Sequence, residues 1–175
     1  YGPALNIVKD AVAGEVADGF LVHPLSTRRS LLELTVPAIA RGAARAGRNP
    51  SDVELTCVTI VVTGRDEAEL DRSREAVRAQ LAFYGTTPAY RPVLDLHDRG
   101  HLHEQLKARA KQGEWDAMAE LIDDEFLEEV AVVGEPEAIA PALRERLTGV
   151  SEFVSLVNNR APDPRHFAEV VTALG

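Results

Sequence analysis

One cysteine, one tryptophan and one methionine occur in 175 residues. Cys57 cannot close an internal disulfide, and its solitude removes any zinc site built from several cysteines. No apolar run approaches the roughly 18 residues that a bilayer span needs, which argues against a transmembrane anchor. No secretory signal is visible, so a cytoplasmic location is expected. Positive charge is in deficit. The 19 Lys and Arg against 28 Asp and Glu leave a net charge of −9 at pH 7, the opposite of the basic field a nucleic-acid binder presents. Gly-x-Gly-x-x-Gly, a Walker loop, His-Glu-x-x-His and Gly-x-Ser-x-Gly are all missing, so no motif names a triad or a metal centre. What is present is ordinary: 45% hydrophobic and 27% charged residues suit a folded protein rather than a disordered one. The length is that of one domain, residues 1–175. The chain opens at Tyr1 without a methionine, which reads as a processed, truncated or partial polypeptide.

The spacing of Leu5, Val8, Val12 and Val16 predicts a helix over residues 5–17 with these side chains as its apolar stripe. Phe20-Leu21-Val22 is a short apolar run of the buried-strand kind, closed by His23-Pro24. A second helix is expected over 27–46, kinked or in two pieces at Pro37. The clearest strand is 53–62, β-branched almost throughout, and Asp66 then starts a long helix to about Tyr84. Residues 85–100 read as an ordered excursion. Helices follow at 101–111 and 114–129. Val130 to Val133 suits either a short strand or an extended approach to a helix over about 135–149. A third strand is expected at 153–157 and a last helix at 164–174. Strands separated by helices imply right-handed crossovers and a parallel α/β sheet. Three strands are few, since sheets usually hold about 4–6, and both edges would be open. The chain therefore reads as part of something larger.

Several stretches, in order, resemble one family. They are Ala13-Gly14-Glu15-Val16-Ala17-Asp18-Gly19-Phe20 running to Pro24, Pro37-Ala38-Ile39, and Arg41-Gly42-Ala43-Ala44-Arg45-Ala46-Gly47-Arg48. Further along come Val61-Val62-Thr63-Gly64, Phe83-Tyr84-Gly85-Thr86-Thr87-Pro88-Ala89-Tyr90-Arg91-Pro92-Val93-Leu94, Gly113-Glu114-Trp115, and Val132-Val133-Gly134-Glu135-Pro136-Glu137. The pattern is similar to the luciferase-like monooxygenase superfamily, nearest its deazaflavin (coenzyme F-420)-dependent oxidoreductases. The resemblance implies the C-terminal half of a (β/α)8 TIM barrel, with strands near 20–23, 53–62 and 153–157. It also implies hydride transfer with coenzyme F-420, or alternatively FMN, to a small organic substrate, and an oligomer or a missing N-terminal half as partner. No nucleic acid and no membrane enter the picture. A non-catalytic half-barrel that completes itself by association is the alternative; an oxygen-consuming flavin monooxygenase is a third. Either way these residues by themselves are expected to turn over little or no substrate.

A barrel of this type places its active site at the C-terminal ends of its strands. Those ends are His23, Thr63-Gly64 and Asn158-Asn159, with Asn158 counted among the cofactor contacts. His23, the catalytic candidate, could donate to a cofactor or substrate oxygen or shuttle a proton with a near-neutral pKa, or simply bond a neighbouring carbonyl. Gly2 offers backbone N–H groups at a helix start to a cofactor phosphate, or is a plain turn. Tyr90 and Arg91 suit the acidic tail of a deazaflavin, or a loop anchored by a tyrosine and an ion pair. His97, His101 and His103 with Asp95 and Asp98 imitate a metal cluster, yet their spacing fits no known motif, and no metal is expected. The acidic run from Asp123 to Glu129 reads as an exposed helix face, and Cys57 as a small buried hydrophobe.

Overall fold

The computed structural model describes residues 7–157 and 164–174. Its elements are α1 (Ile7–Val16), β1 (Gly19–Val22), α2 (Arg28–Ser30), α3 (Val36–Ala46), β2 (Glu54–Thr63), α4 (Glu67–Gly85), α5 (Arg91–Leu96), α6 (Gly100–Gln112), α7 (Trp115–Ala119), α8 (Asp124–Val130), β3 (Ala131–Gly134), α9 (Pro136–Leu147), β4 (Phe153–Val157) and α10 (Pro164–Leu174). All strand pairs are parallel, as crossover helices require. Thr56 and Cys57 pair with both β1 and β4, so these strands lie on opposite edges of β2. Ile60 pairs with both β3 and β4, so β3 continues the edge that β1 begins. Ala131 to Gly134 is thus a strand, a fourth one in line with the first.

The alternation along β2 sorts the two faces. Cys57 packs with Phe20, Val22 and Ile39, and Val61 with Ile139, Leu143 and Val170, so this face is covered by α1, α3, α9 and α10. Ile60 and Val62, which point the other way, meet a separate core of Val77, Leu81, Leu106, Phe126 and Leu127 from the excursion between β2 and β3, joined by Leu25 from the loop after β1. Nearer the strand's start that second face is open, with Phe153 and Ser155 exposed and Thr56 and Val58 only half-buried.

The helix over residues 27–46 is divided as Pro37 demands. Proline has no N–H to give, and the preceding turn, Leu31–Thr35, widens into a π-turn in which the Val36 amide reaches back to Leu31. The long helix expected over 114–129 is broken between α7 and α8, where Asp123 accepts from the Phe126 amide at 2.7 Å and starts α8 as its N-cap. Part of the acidic run is therefore a cap and a set of ion pairs: Asp123 and Glu125 hold Arg99, and Asp124 holds Arg78.

Helix α1 corrects the sequence reading. Val12 and Val16 are exposed, and the buried side is Asp10, Ala11, Ala13 and Gly14. The reason is a close helix crossing. A Cβ on Gly14 would lie 2.1 Å from the Ile39 carbonyl oxygen, and one on Gly42 would lie 1.8 Å from that of Ala11. Backbones this near exclude valine from the contact and turn Val12 and Val16 outward.

Candidate functional site

β1 stops at Val22, opposite Cys57, and His23 follows at once. Pro24 cannot extend the ladder, so the chain leaves the sheet there. The imidazole is 4% exposed and lies between two tyrosines. Tyr90 is tilted against it at 4.3 Å between ring centres, and Tyr84 meets it edge-on at 4.8 Å. The Leu25 amide donates to His23 Nδ1 at 3.1 Å, which leaves Nε2 to carry the ring proton. Burial lowers the pKa of His23 to about 4. The near-neutral shuttle expected from the sequence gives way to a neutral imidazole that offers an N–H at pH 7. Burial also raises the Tyr90 hydroxyl, and neighbouring Tyr84 adds to the effect.

Tyr84 is itself placed from within its helix. The Gln80 amide, one turn earlier, donates to the Tyr84 hydroxyl at 2.8 Å. The two tyrosines come from the end of α4 and from the short 3-10 turn Pro88–Tyr90, so the segment between β2 and β3 is what walls the histidine, with one tyrosine from the ordered excursion and one from the helix before it. On the other side, the 23–27 loop is tied down at each step. Leu25 is fully buried in the excursion's core. Thr27 closes a capping box with Ser30, and its hydroxyl meets His97 Nε2 at 2.9 Å. Burial lowers the pKa of His97 as well.

Arg91 does not join this group. Its guanidinium faces Asp95 at 3.5 Å and Glu104 at 4.0 Å on the surface. Thr63 is buried at the end of β2, and Gly64 is pressed against the first turn of α4. Gly2 and Asn158 lie outside the described residues. The three histidines of the apparent cluster go separate ways: His97 to Thr27, His103 Nδ1 to the Gly85 carbonyl at 2.7 Å, and His101 to solvent. Among the described residues no group of three or more donors could hold a metal ion. No helix among them is long and apolar enough to cross a membrane. Sequence reasoning missed Gln80 and Tyr84, although a glutamine four residues before a tyrosine on one helix was a usable signal.

At pH 7 both His23 and an unfolded histidine are neutral, so burial of His23 costs nothing in protonation. Below about 6.5 the unfolded chain takes up a proton that the folded one refuses until about 4. Stability is therefore expected to fall by about 1.4 kcal/mol per pH unit across that window from His23, with His97 adding in the same sense. Ring-proton NMR checks the cause: the His23 signal stays fixed from pH 8 to 5, and an inflection near 6.5 would refute it.

The chain has relatives. The model of the family described as "Luciferase-like monooxygenase" matches residues 8–151. An uncharacterized protein of Mycobacterium tuberculosis is 52% identical over 143 residues, 82% of this chain and 42% of that protein. The 5,10-methylenetetrahydromethanopterin reductase of Methanopyrus kandleri is 29% identical over 146 residues, 81% of this chain and 40% of the reductase. Among solved structures, the coenzyme F420-dependent tetrahydromethanopterin reductase of the same organism superposes with a TM-score of 0.70 at 24% identity, over 98% of this chain and 48% of that one. An F420-dependent secondary alcohol dehydrogenase, in complex with an F420-acetone adduct, gives 0.63 at 16% identity, over 97% and 47%. These likenesses carry the fold. The chain spans less than half the length of the curated relatives it matches.

Proposed function

Because the chain belongs to the luciferase-like monooxygenase family, we propose that it is the C-terminal part of a cytoplasmic (β/α)8-barrel oxidoreductase that moves hydride between coenzyme F-420 and a small organic substrate. One observation carries the site reading: a neutral, buried imidazole, fixed as its Nε2–H form, stands at the C-terminal end of a parallel strand between two tyrosines. An aromatic wall with one polar donor suits the edge of a flat heteroaromatic ring. The acidic tail of such a cofactor is served less well, since Arg91 is committed to Asp95 and Glu104. Its phosphate falls to Gly2, Asn158 or the N-terminal half. The deazaflavin, when bound, supplies the hydride chemistry; His23 donates a hydrogen bond, and the tyrosines and Leu25 keep water from the reacting face.

Fluorescence titration of the whole protein with F-420 and with FMN tests this. F-420 is expected to bind and FMN to fail, and His23→Phe to weaken F-420 binding about two- to tenfold, the worth of one neutral hydrogen bond. Preference for FMN, or an unchanged Kd in the variant, would overturn the reading. These 175 residues without an N-terminal half are expected to reduce no cofactor.

A second reading is favoured by the open surface: Val12, Val16 and Phe153 are exposed, as is part of the sheet face beneath Ile60. On this reading the chain is a half-barrel that closes against a second copy of itself. The mass in solution separates the two, since a dimer that binds no deazaflavin supports only the second.

A further inference from the structure

In the last turn of α9 stands an arginine whose hydrogen bonds, among the described residues, all go to main-chain carbonyls. The Arg146 guanidinium donates to Val130 O at 2.8 Å, Ser26 O at 3.3 Å, Ala131 O at 3.4 Å, and also to Glu129 O. No carboxylate lies within ion-pair distance of it among the described residues. Burial lowers its pKa to about 10, against the pull of the more distant Glu129 carboxylate, so it is charged at neutral pH. Glu129 and Val130 form the last turn of α8, whose carbonyls have no amides ahead of them. Arg146 thus closes the end of α8 as a C-terminal cation does. Arg28, two residues beyond Ser26, returns the contact: it donates to Arg146 O in the last turn of α9 and to Thr148 O just past it. Two arginines therefore clasp the loop that leaves β1 to the ends of two helices.

A charged guanidinium is a costly filler for a joint that an apolar side chain could pack. What it adds is direction, because a planar fork fixes the carbonyls it meets. We infer that Arg146 is a positioning residue: by holding the Ser26 carbonyl it anchors the loop two peptide groups beyond the one whose Leu25 N–H donates to His23 Nδ1, and so keeps the His23 ring in its Nε2–H form. The inference rests on the reading of His23 as the site's donor.

The test is nitrogen NMR of the His23 ring in the chain and in its Arg146→Met and Arg146→Lys variants, with Ile139→Val as a control. Ile139 is fully buried in another core, so its variant lowers stability without touching the loop. In the parent, Nδ1 is expected to read as acceptor and Nε2 as N–H. In Arg146→Met both forms appear, and the titration midpoint rises by one unit or more; Arg146→Lys, which keeps the charge but not the fork, falls between. Ile139→Val leaves the ring signals unmoved. If Arg146→Met does not fold, Arg146→Lys and Arg28→Ala read the same signals. Unchanged ring nitrogens in folded Arg146 variants would overturn the inference. Were the ring to change form while F-420 binding held steady, the positioning role would stand and the donor role of His23 would fall.

Discussion

Gly42→Ala is expected to lower stability by about 3 kcal/mol or more, although alanine is the better helix former. On propensity, the exchange inside α3 gains about 1 kcal/mol. Sterics decide the sign. The added Cβ would stand 1.8 Å from the Ala11 carbonyl oxygen, 2.7 Å from its carbon and 3.1 Å from its Cα. All three are backbone atoms, so no side chain can swing aside, and α1 must move off α3. That separation opens the contacts of Ala13 with Phe20 and Ile39, which places the cost at the upper end of overpacking losses. For a chain of this length the melting temperature should fall by roughly 6–12 °C. A shift smaller than about 2 °C would mean that the two helices are not in the contact described.

The second large effect belongs to Phe126→Ala. The ring is fully buried, packed with Leu25, Ile60, Leu106 and Met118, and it joins the helical excursion to the sheet. Truncation leaves a cavity that fixed neighbours cannot fill, at about 3–5 kcal/mol. The ring also faces His97 at 6.1 Å between centres and carries the Arg99 guanidinium 5.6 Å above its centre. Loss of Phe126 should therefore loosen His97 and, through it, the Thr27 cap of the His23 loop. Chemical denaturation with fluorescence detection gives the stability term. Hydrogen exchange at Thr27 and Ser30 should accelerate with it; exchange at those amides that stays at the parent rate would sever the link to the loop.

The strands were legible wherever β-branched residues run together. Residues 53–62 announced β2 almost to the residue, and 153–157 marked β4 as it stands. Ala131 to Gly134 left two choices open, because four residues hold too little pattern to tell a strand from an extended approach. The orientation of α1 failed for a physical reason. Periodicity arguments assume that the large apolar residues face the core, whereas a close crossing is made by the small ones, Ala11, Gly14 and Gly42, which let the backbones of Ala11 and Ile39 come near. The break between α7 and α8 turned on Asp123 acting as a cap, which an acidic run conceals. At the site, His23 was visible as a strand-end residue next to a proline. Its charge state was not, because the tyrosines that desolvate it lie more than sixty positions away. Arg146 gave no signal at all: its partners are carbonyls, and every residue has one.

The unequal lengths of β1 and β2 set the depth of the site. Val22 pairs with Cys57, and β2 then runs on through Val58, Thr59, Ile60, Val61 and Val62 to Thr63. At about 3.3 Å per residue those six steps span roughly 20 Å. His23 therefore sits at the foot of a palisade rather than on its lip, with β3 and the excursion helices rising beside it. The rows above it on that face are closed, because Ile60 and Val62 are packed against Leu25, Leu81 and Phe126, so the imidazole and its two tyrosines are freed only when that core itself shifts.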